Sequence, residues 1–263
     1  MNVFNKKNIL QQCIVEFLGT GLIIFFGFGS LATSKLTDFY FNKYEISIIW
    51  GCSVSFAIYL SDSISGAHLN PAITIFLSFF DKFNKKKVLP YIISQISGTF
   101  FFTTLIYYIY YNKLISFEHK YNIIRGTKES LQLASIFCVY PEKNYIFIYD
   151  FIIEIIISII FIIILMLIND KKKMFVMQKK INPCLIGVLV AIINFLSVKS
   201  LHNITLNPAH DLVPRIFLSI MGWGEIAFTG VYNHHFPYFL ISTITPILGI
   251  NLGGWIYKKF INN

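Results

Sequence analysis

The sequence predicts an all-α membrane protein of six transmembrane helices plus two re-entrant half-helices, arranged as an inverted 3+3 repeat. Three observations carry that prediction. Of 263 residues, 55 % are hydrophobic and only 13 % are charged, about half the charge of a soluble domain. Six apolar stretches are each long enough to cross a bilayer, which takes about 20 residues. Two further apolar runs are too short to cross, and both open with Leu-Asn-Pro-Ala, at Leu69 and Leu206.

The six long stretches run over roughly 10–31, 45–62, 88–111, 146–168, 181–199 and 238–257, and the short ones over roughly 70–80 and 207–220. The first could pass for a secretory signal. It is too long for a signal core and contains Glu16, so it reads as a spanning helix. The net charge of +9 could suggest nucleic acid, but the lysines stand in short clusters between apolar runs, as loop charges do. Lys6–Lys7, Lys82 with Lys85–Lys87, Lys171–Lys173 with Lys179–Lys180, and Lys258–Lys259 all fall on one side of a six-crossing chain. That side is expected to be the cytoplasm, with both termini on it. The long 112–145 connection, of mixed charge, lies opposite. Cys13, Cys52, Cys138 and Cys184 form no metal spacing, and those in apolar segments read as buried thiols.

The chain repeats. Asn70 follows the embedded Glu16 by 54 residues, and Asn207 follows the embedded Glu154 by 53. Each half, approximately 8–111 and 146–259, holds three crossings, one buried glutamate and one short Asn-Pro helix, within a single domain spanning 1–263. An odd number of crossings per half turns the halves opposite ways and puts a site near the bilayer midplane.

The short helices explain themselves physically. Asn suits a helix N-cap and Pro the first helical position. Each half-helix is about 16–21 Å long at 1.5 Å per residue, so two end to end cover a core of about 30 Å. Asn70-Pro71-Ala72 and Asn207-Pro208-Ala209 would then meet in the middle. Non-helical backbone is tolerable at that depth only in protein or beside a water-filled path. The two asparagines can donate N–H groups to a passing hydroxyl, and the two positive helix ends repel protons and cations. The arrangement suits small neutral polar molecules.

These motifs resemble the major intrinsic protein (aquaporin) family, and within it the glycerol facilitator branch. "QCIVEFLGTGLIIFFGFG", "EISIIWG", "SGAHLNPAITI" and "LNPAHD" are similar to stretches of that branch, as are Asp211, Arg215 and Pro246-Ile247. The resemblance covers nearly the whole chain. It implies an aquaporin-like homotetramer in a cell membrane of bacterial inner-membrane type, with one pore per chain, no cofactor and no metal. It implies that glycerol, small polyols and some water pass, and that carbonyls of Gly66, Ala67, His68, Asn203, Ile204 and Thr205 form a ladder leading to each Asn. Glu16 and Glu154 would hold those loops, with Asp211 also in support, and Trp50, Ile204 and His210 would form the selectivity filter.

The chain departs from the branch at that filter. Ile204 stands where a Phe is expected and His210 where an Arg is expected, and "NFLSVKSLHNIT" is one residue longer than the pattern and lacks its glycines. Arg is a permanent cation, whereas His has an unperturbed pKa of about 6.5. The expectation is weakened size selection and pH-sensitive flux, with Lys199 or His202 as candidates to replace the missing charge.

Blander readings stand beside these. Trp50 could be an interface anchor and His68 a satisfied buried histidine. Trp223 and Trp255 read as belt or packing residues, Gly249 and Gly253 as a packing face, and His234 and His235 as solvated. A water-selective pore, or a broader urea and polyol pore, is the alternative function. A proton-coupled transporter would need a titratable pair in the path. No nucleophile–base spacing, phosphate loop or soluble domain supports an enzyme.

Overall fold

The computed structural model describes residues 8–140, 147–169, 182–199, 204–230 and 238–261. Among these, every regular element is helical. Asn8 caps α1 (Ile9–Leu36) through Leu10 N. Asn42 and Glu45 form a capping box that opens α2 (Lys43–Ser65), whose C-cap is Gly66 at φ 88°. Then come the short α3 (Pro71–Phe80), a turn of lysines 85–87, α4 (Val88–Ile109), α5 (Tyr111–Tyr121) and the single-turn α6 (Leu131–Ala134). The second half holds α7 (Phe147–Asn169), α8 (Asn182–Lys199), the short α9 (Pro208–Leu218), α10 (Ile226–Thr229) and α11 (Phe239–Ile256).

The order long, long, short, long therefore occurs twice, as the repeat predicts. Five stretches, containing α1, α2, α4, α7 and α11, are long and apolar enough to cross a bilayer. The sixth, α8, has 18 residues and is apolar over Pro183–Leu196. At 1.5 Å per residue its full length still reaches about 27 Å.

Packing follows the repeat. The first and third long helices of each half lie together, α1 on α4 and α7 on α11, while α2 packs on α8 across the halves. Small residues allow the close approach. A Cβ on Gly98 would stand 2.2 Å from the Phe17 carbonyl oxygen, and one on Gly51 2.4 Å from that of Gly187. Gly249 and Gly253 meet Ser158, Ile155, Ile162 and Ile159 of α7, so they are a packing face as expected. Each half-helix leans on the other half as well as its own: α3 packs on α11 and α9 on α4.

The outer faces carry exposed Leu10, Tyr59, Leu89, Ile152, Ile192 and Leu248, as lipid contact requires. That corrects the reading of the cysteines. Only Cys138 is buried; Cys13 is intermediate, and Cys52 and Cys184 are exposed. In a membrane an apolar segment faces lipid as readily as protein, so apolar company does not imply burial. Trp223 packs inside, donating to the Ser130 carbonyl at 3.1 Å, whereas Trp255 is exposed beneath Lys259. His234, His235 and the lysines at 6–7, 171–173 and 179–180 lie outside the described residues.

Candidate solute pathway

A cavity of about 1270 Å³ threads the helices. Its lining includes Asp62, Asp81, Asn169 and Lys258, at or near the C-terminal ends of α2, α3, α7 and α11, and Cys138, Val139 and Tyr140 of the long connection. Gly66, Ala67, His68, Asn70, Ile204, Thr205, Asn207, Trp50 and His210 line it too, so the polar positions singled out in the sequence converge on one space. The lining also includes the apolar Phe28, Val54, Ile58, Phe161 and Val190. Asn203 and His202 lie outside the described residues, as does the Lys199 side chain.

The first loop is built by one carboxylate. Glu16 Oε1 accepts from Ser65 Oγ (2.6 Å) and His68 N (2.9 Å), and Oε2 accepts from Leu69 N (2.7 Å) and Gln95 Nε2 (2.8 Å). These bonds hold Ala67 at φ 49° and Leu69 at φ 51°. Left-handed backbone costs a non-glycine residue about 1–2 kcal/mol. Charge-assisted hydrogen bonds offset such a cost. His68 is buried, with Nδ1 3.2 Å from Thr74 Oγ1, so its side chain is structural.

Glu154 does the same in the second loop. Its Oε1 accepts from Thr205 N and Thr205 Oγ1, both at 2.7 Å, and Oε2 from Thr245 Oγ1 at 2.6 Å. Both glutamates are buried, and every one of their carboxylate oxygens accepts a hydrogen bond. That favours support over proton relay.

The half-helices meet at their N-termini. Asn70 caps α3 by accepting from Ala72 N (2.8 Å), and Asn207 caps α9 by accepting from Ala209 N (3.1 Å), with Pro71 and Pro208 in the first helical positions. The cross-links are reciprocal: Asn70 Nδ2 donates to Leu206 O and Asn207 Nδ2 to Leu69 O, each at 2.8 Å.

Trp50 and His210 face each other with ring centroids 6.1 Å apart. Gly27 makes room for Trp50, since a Cβ there would lie 2.4 Å from the indole. One turn beyond His210, Arg215 is fully buried. It pairs with Asp211 through Nε (2.7 Å) and donates to the Ala227 carbonyl (2.7 Å) and to the Val139 carbonyl. Asp211 also accepts from Val139 N (2.9 Å) and from Ser242 Oγ. The ion pair thus holds both backbone groups of Val139, with Tyr140 under the guanidinium at 4.9 Å. This clamp, and the place of Cys138–Tyr140 in the cavity lining, had no signal in the sequence, because Val139 belongs to no motif.

A second pin holds the same connection. Arg125 pairs with Glu118 (2.7 Å), donates to the Met221 carbonyl (2.7 Å) and lies over Trp223 at 4.6 Å. Burial alone would lower its pKa, but the Glu118 partner reverses this and the net shift is upward. Among the described residues no group of three His, Cys, Asp or Glu could hold a metal ion.

Residues 3–257 match the family described as "Major intrinsic protein". The chain belongs to the major intrinsic protein family. Among curated members, it is 66 % identical over 261 residues to the "Glycerol uptake facilitator protein" of Buchnera aphidicola subsp. Schizaphis graminum, covering 99 % of both chains. It is 43 % identical over 250 residues to the protein of that name from Escherichia coli (strain K12), covering 95 % of this chain and 88 % of the other. In three dimensions this family member superposes on the aquaglyceroporin from Plasmodium falciparum with a TM-score of 0.77, at 27 % identity and 97 % coverage of both.

Proposed function

We propose that the chain is a passive transmembrane channel for glycerol and related small neutral solutes, passing some water, with no catalytic step. The observation that carries this reading is one cavity lined both by the two asparagines that cap and cross-link the half-helix N-termini and by many apolar side chains. Helix N-termini disfavour cations, backbone carbonyls accept from hydroxyls, and the apolar lining suits a carbon skeleton. The glycerol names of the similar proteins support the same solute class.

In this reading Trp50, Ile204 and His210 form the selectivity filter, and the carbonyls of residues 66–68 and 203–205 form the ladder. Residues 1–263 make one channel, with repeats at approximately 8–111 and 146–259. The termini lie in the cytoplasm, the membrane is of the bacterial inner type, and the assembly is a homotetramer in the bilayer. Ile204 and His210, smaller than the Phe and Arg of the branch, favour a broader pore that also admits urea and longer polyols.

The test is stopped-flow light scattering on proteoliposomes, with glycerol and then sucrose as osmolyte. Glycerol entry well above empty liposomes, non-saturating in concentration, supports the channel. Fast water exit with no glycerol entry would move it to the water-selective alternative.

A further inference from the structure

Both amide hydrogens of Asn207 have acceptors, whereas among the described residues only one of Asn70's does. Asn207 Oδ1 accepts from Ala209 N at 3.1 Å while Nδ2 donates to Leu69 O at 2.8 Å. Together these two bonds fix which end of the amide is nitrogen. The same Nδ2 stands 2.8 Å from His210 Nε2. An amide nitrogen donates and does not accept, so its second hydrogen goes to Nε2. His210 Nε2 must therefore be bare, the imidazole neutral, and its proton on Nδ1. Asn70, by contrast, donates one hydrogen to Leu206 O, and its second has no partner among the described residues.

We propose that His210 sets solute selectivity through Asn207, as one hydrogen-bonding unit. The imidazole takes up the hydrogen that the second Asn-Pro-Ala would otherwise show to solute, and offers its Nδ1–H instead, beside Trp50. The donor on that side of the path is thereby moved from the midplane asparagine to the filter ring. This rests on the reading that solute runs through the cavity these residues line.

The surroundings keep the ring neutral. Trp50 faces it from α2, and Cys138 and Tyr140 share its cavity from the long connection. On its own helix Asp211 and Arg215 cancel each other in an ion pair, and on α7 Glu154 is occupied by Thr205 and Thr245. Among the described residues no carboxylate makes a hydrogen bond or ion pair with His210. Protonation would also cost the Asn207 bond. The pH-sensitive flux expected from the bare His-for-Arg exchange is therefore replaced by a flat profile between about pH 5.5 and about pH 7.5, the range in which an unrestrained histidine titrates.

Two measurements on the full chain in lipid test the proposal. The first is solid-state NMR with ¹⁵N-histidine, His210 being assigned by its loss in H210Q. A neutral, Nδ1-protonated ring at both pH values is expected; an Nε2-protonated ring or an imidazolium overturns the proposal. The second is the ratio of glycerol to propane-1,2-diol permeability, the two solutes differing by one hydroxyl. In H210F the hydrogen returned to Asn207 lies at the midplane, where Asn70 already offers one, while the donor beside Trp50 is lost, so the ratio should fall about three- to tenfold, the worth of one hydrogen bond. H210Q, which can both accept from Asn207 and donate, should recover part of it. An unchanged ratio in H210F, with glycerol still conducted, overturns the proposal and leaves the channel reading intact. No glycerol flux in the unaltered protein overturns that reading, and with it the selectivity role.

Discussion

Asn70 and Asn207 each donate to the backbone that leads into the other: Asn70 Nδ2 to Leu206 O, and Asn207 Nδ2 to Leu69 O, both at 2.8 Å. Each half-helix is thus capped by its own asparagine and tied by the same side chain to the opposite loop. In Asn70→Asp the capping oxygen survives, but an acceptor faces the Leu206 carbonyl and a charge sits in the path. Glycerol permeability should be lost. In Asn70→Ala the cap goes as well, at about 0.5–2 kcal/mol. Proteoliposome flux and thermal unfolding in detergent together separate the two; equal flux in Asn70→Asp and the parent would show that the cross-link does not shape the path.

Glu16 gathers four donors with two oxygens, including two backbone N–H groups of the left-handed loop. Glu16→Gln turns an amide NH₂ toward donors, leaving one or two buried N–H groups without acceptors. A loss of about 1–6 kcal/mol is expected, at about 1–3 for each orphan. The check is the unfolding midpoint of purified protein, with glycerol flux measured in parallel. A midpoint within error of the parent would mean that the loop holds its shape without this carboxylate.

Arg215 and Asp211 form a buried ion pair that grips Val139. Removing one partner of a buried pair costs about 3–5 kcal/mol, whereas removing both costs less than the sum. Arg215→Met should therefore destabilise strongly, and Asp211→Asn with Arg215→Met should be milder than the two added. Unfolding of the single and double variants tests this; strict additivity would rule the coupling out.

Gly27 and Gly98 separate cavity lining from helix packing. Gly27→Ala puts a methyl 2.4 Å from the Trp50 indole, a side chain at the pathway's edge. It should alter the glycerol-to-ribitol permeability ratio at a modest cost of about 1–3 kcal/mol. Gly98→Ala meets backbone, the Phe17 carbonyl oxygen at 2.2 Å. It should weaken the α1–α4 contact and lower the unfolding midpoint further. The reverse order of midpoints would contradict both assignments.

The spans, the two half-helices and their caps were legible in the sequence, because each obeys a local rule. Twenty apolar residues cross, half that number cannot, and Asn-Pro starts a helix wherever it stands. The pairing of each buried glutamate with one half-helix was legible too, from the near-equal spacings of 54 and 53 residues. The tertiary structure alone decided what those groups touch. Gln95 reaches Glu16 across 79 positions, and Arg215 reaches Val139 across 76. Only the packed helices show that Cys52 and Cys184 face outward, and that Asn207 takes the lone pair of His210. The physical reason is range. Hydropathy and capping act within a few residues, while hydrogen-bond partners in a membrane interior are fixed by the register of helices far apart in the chain.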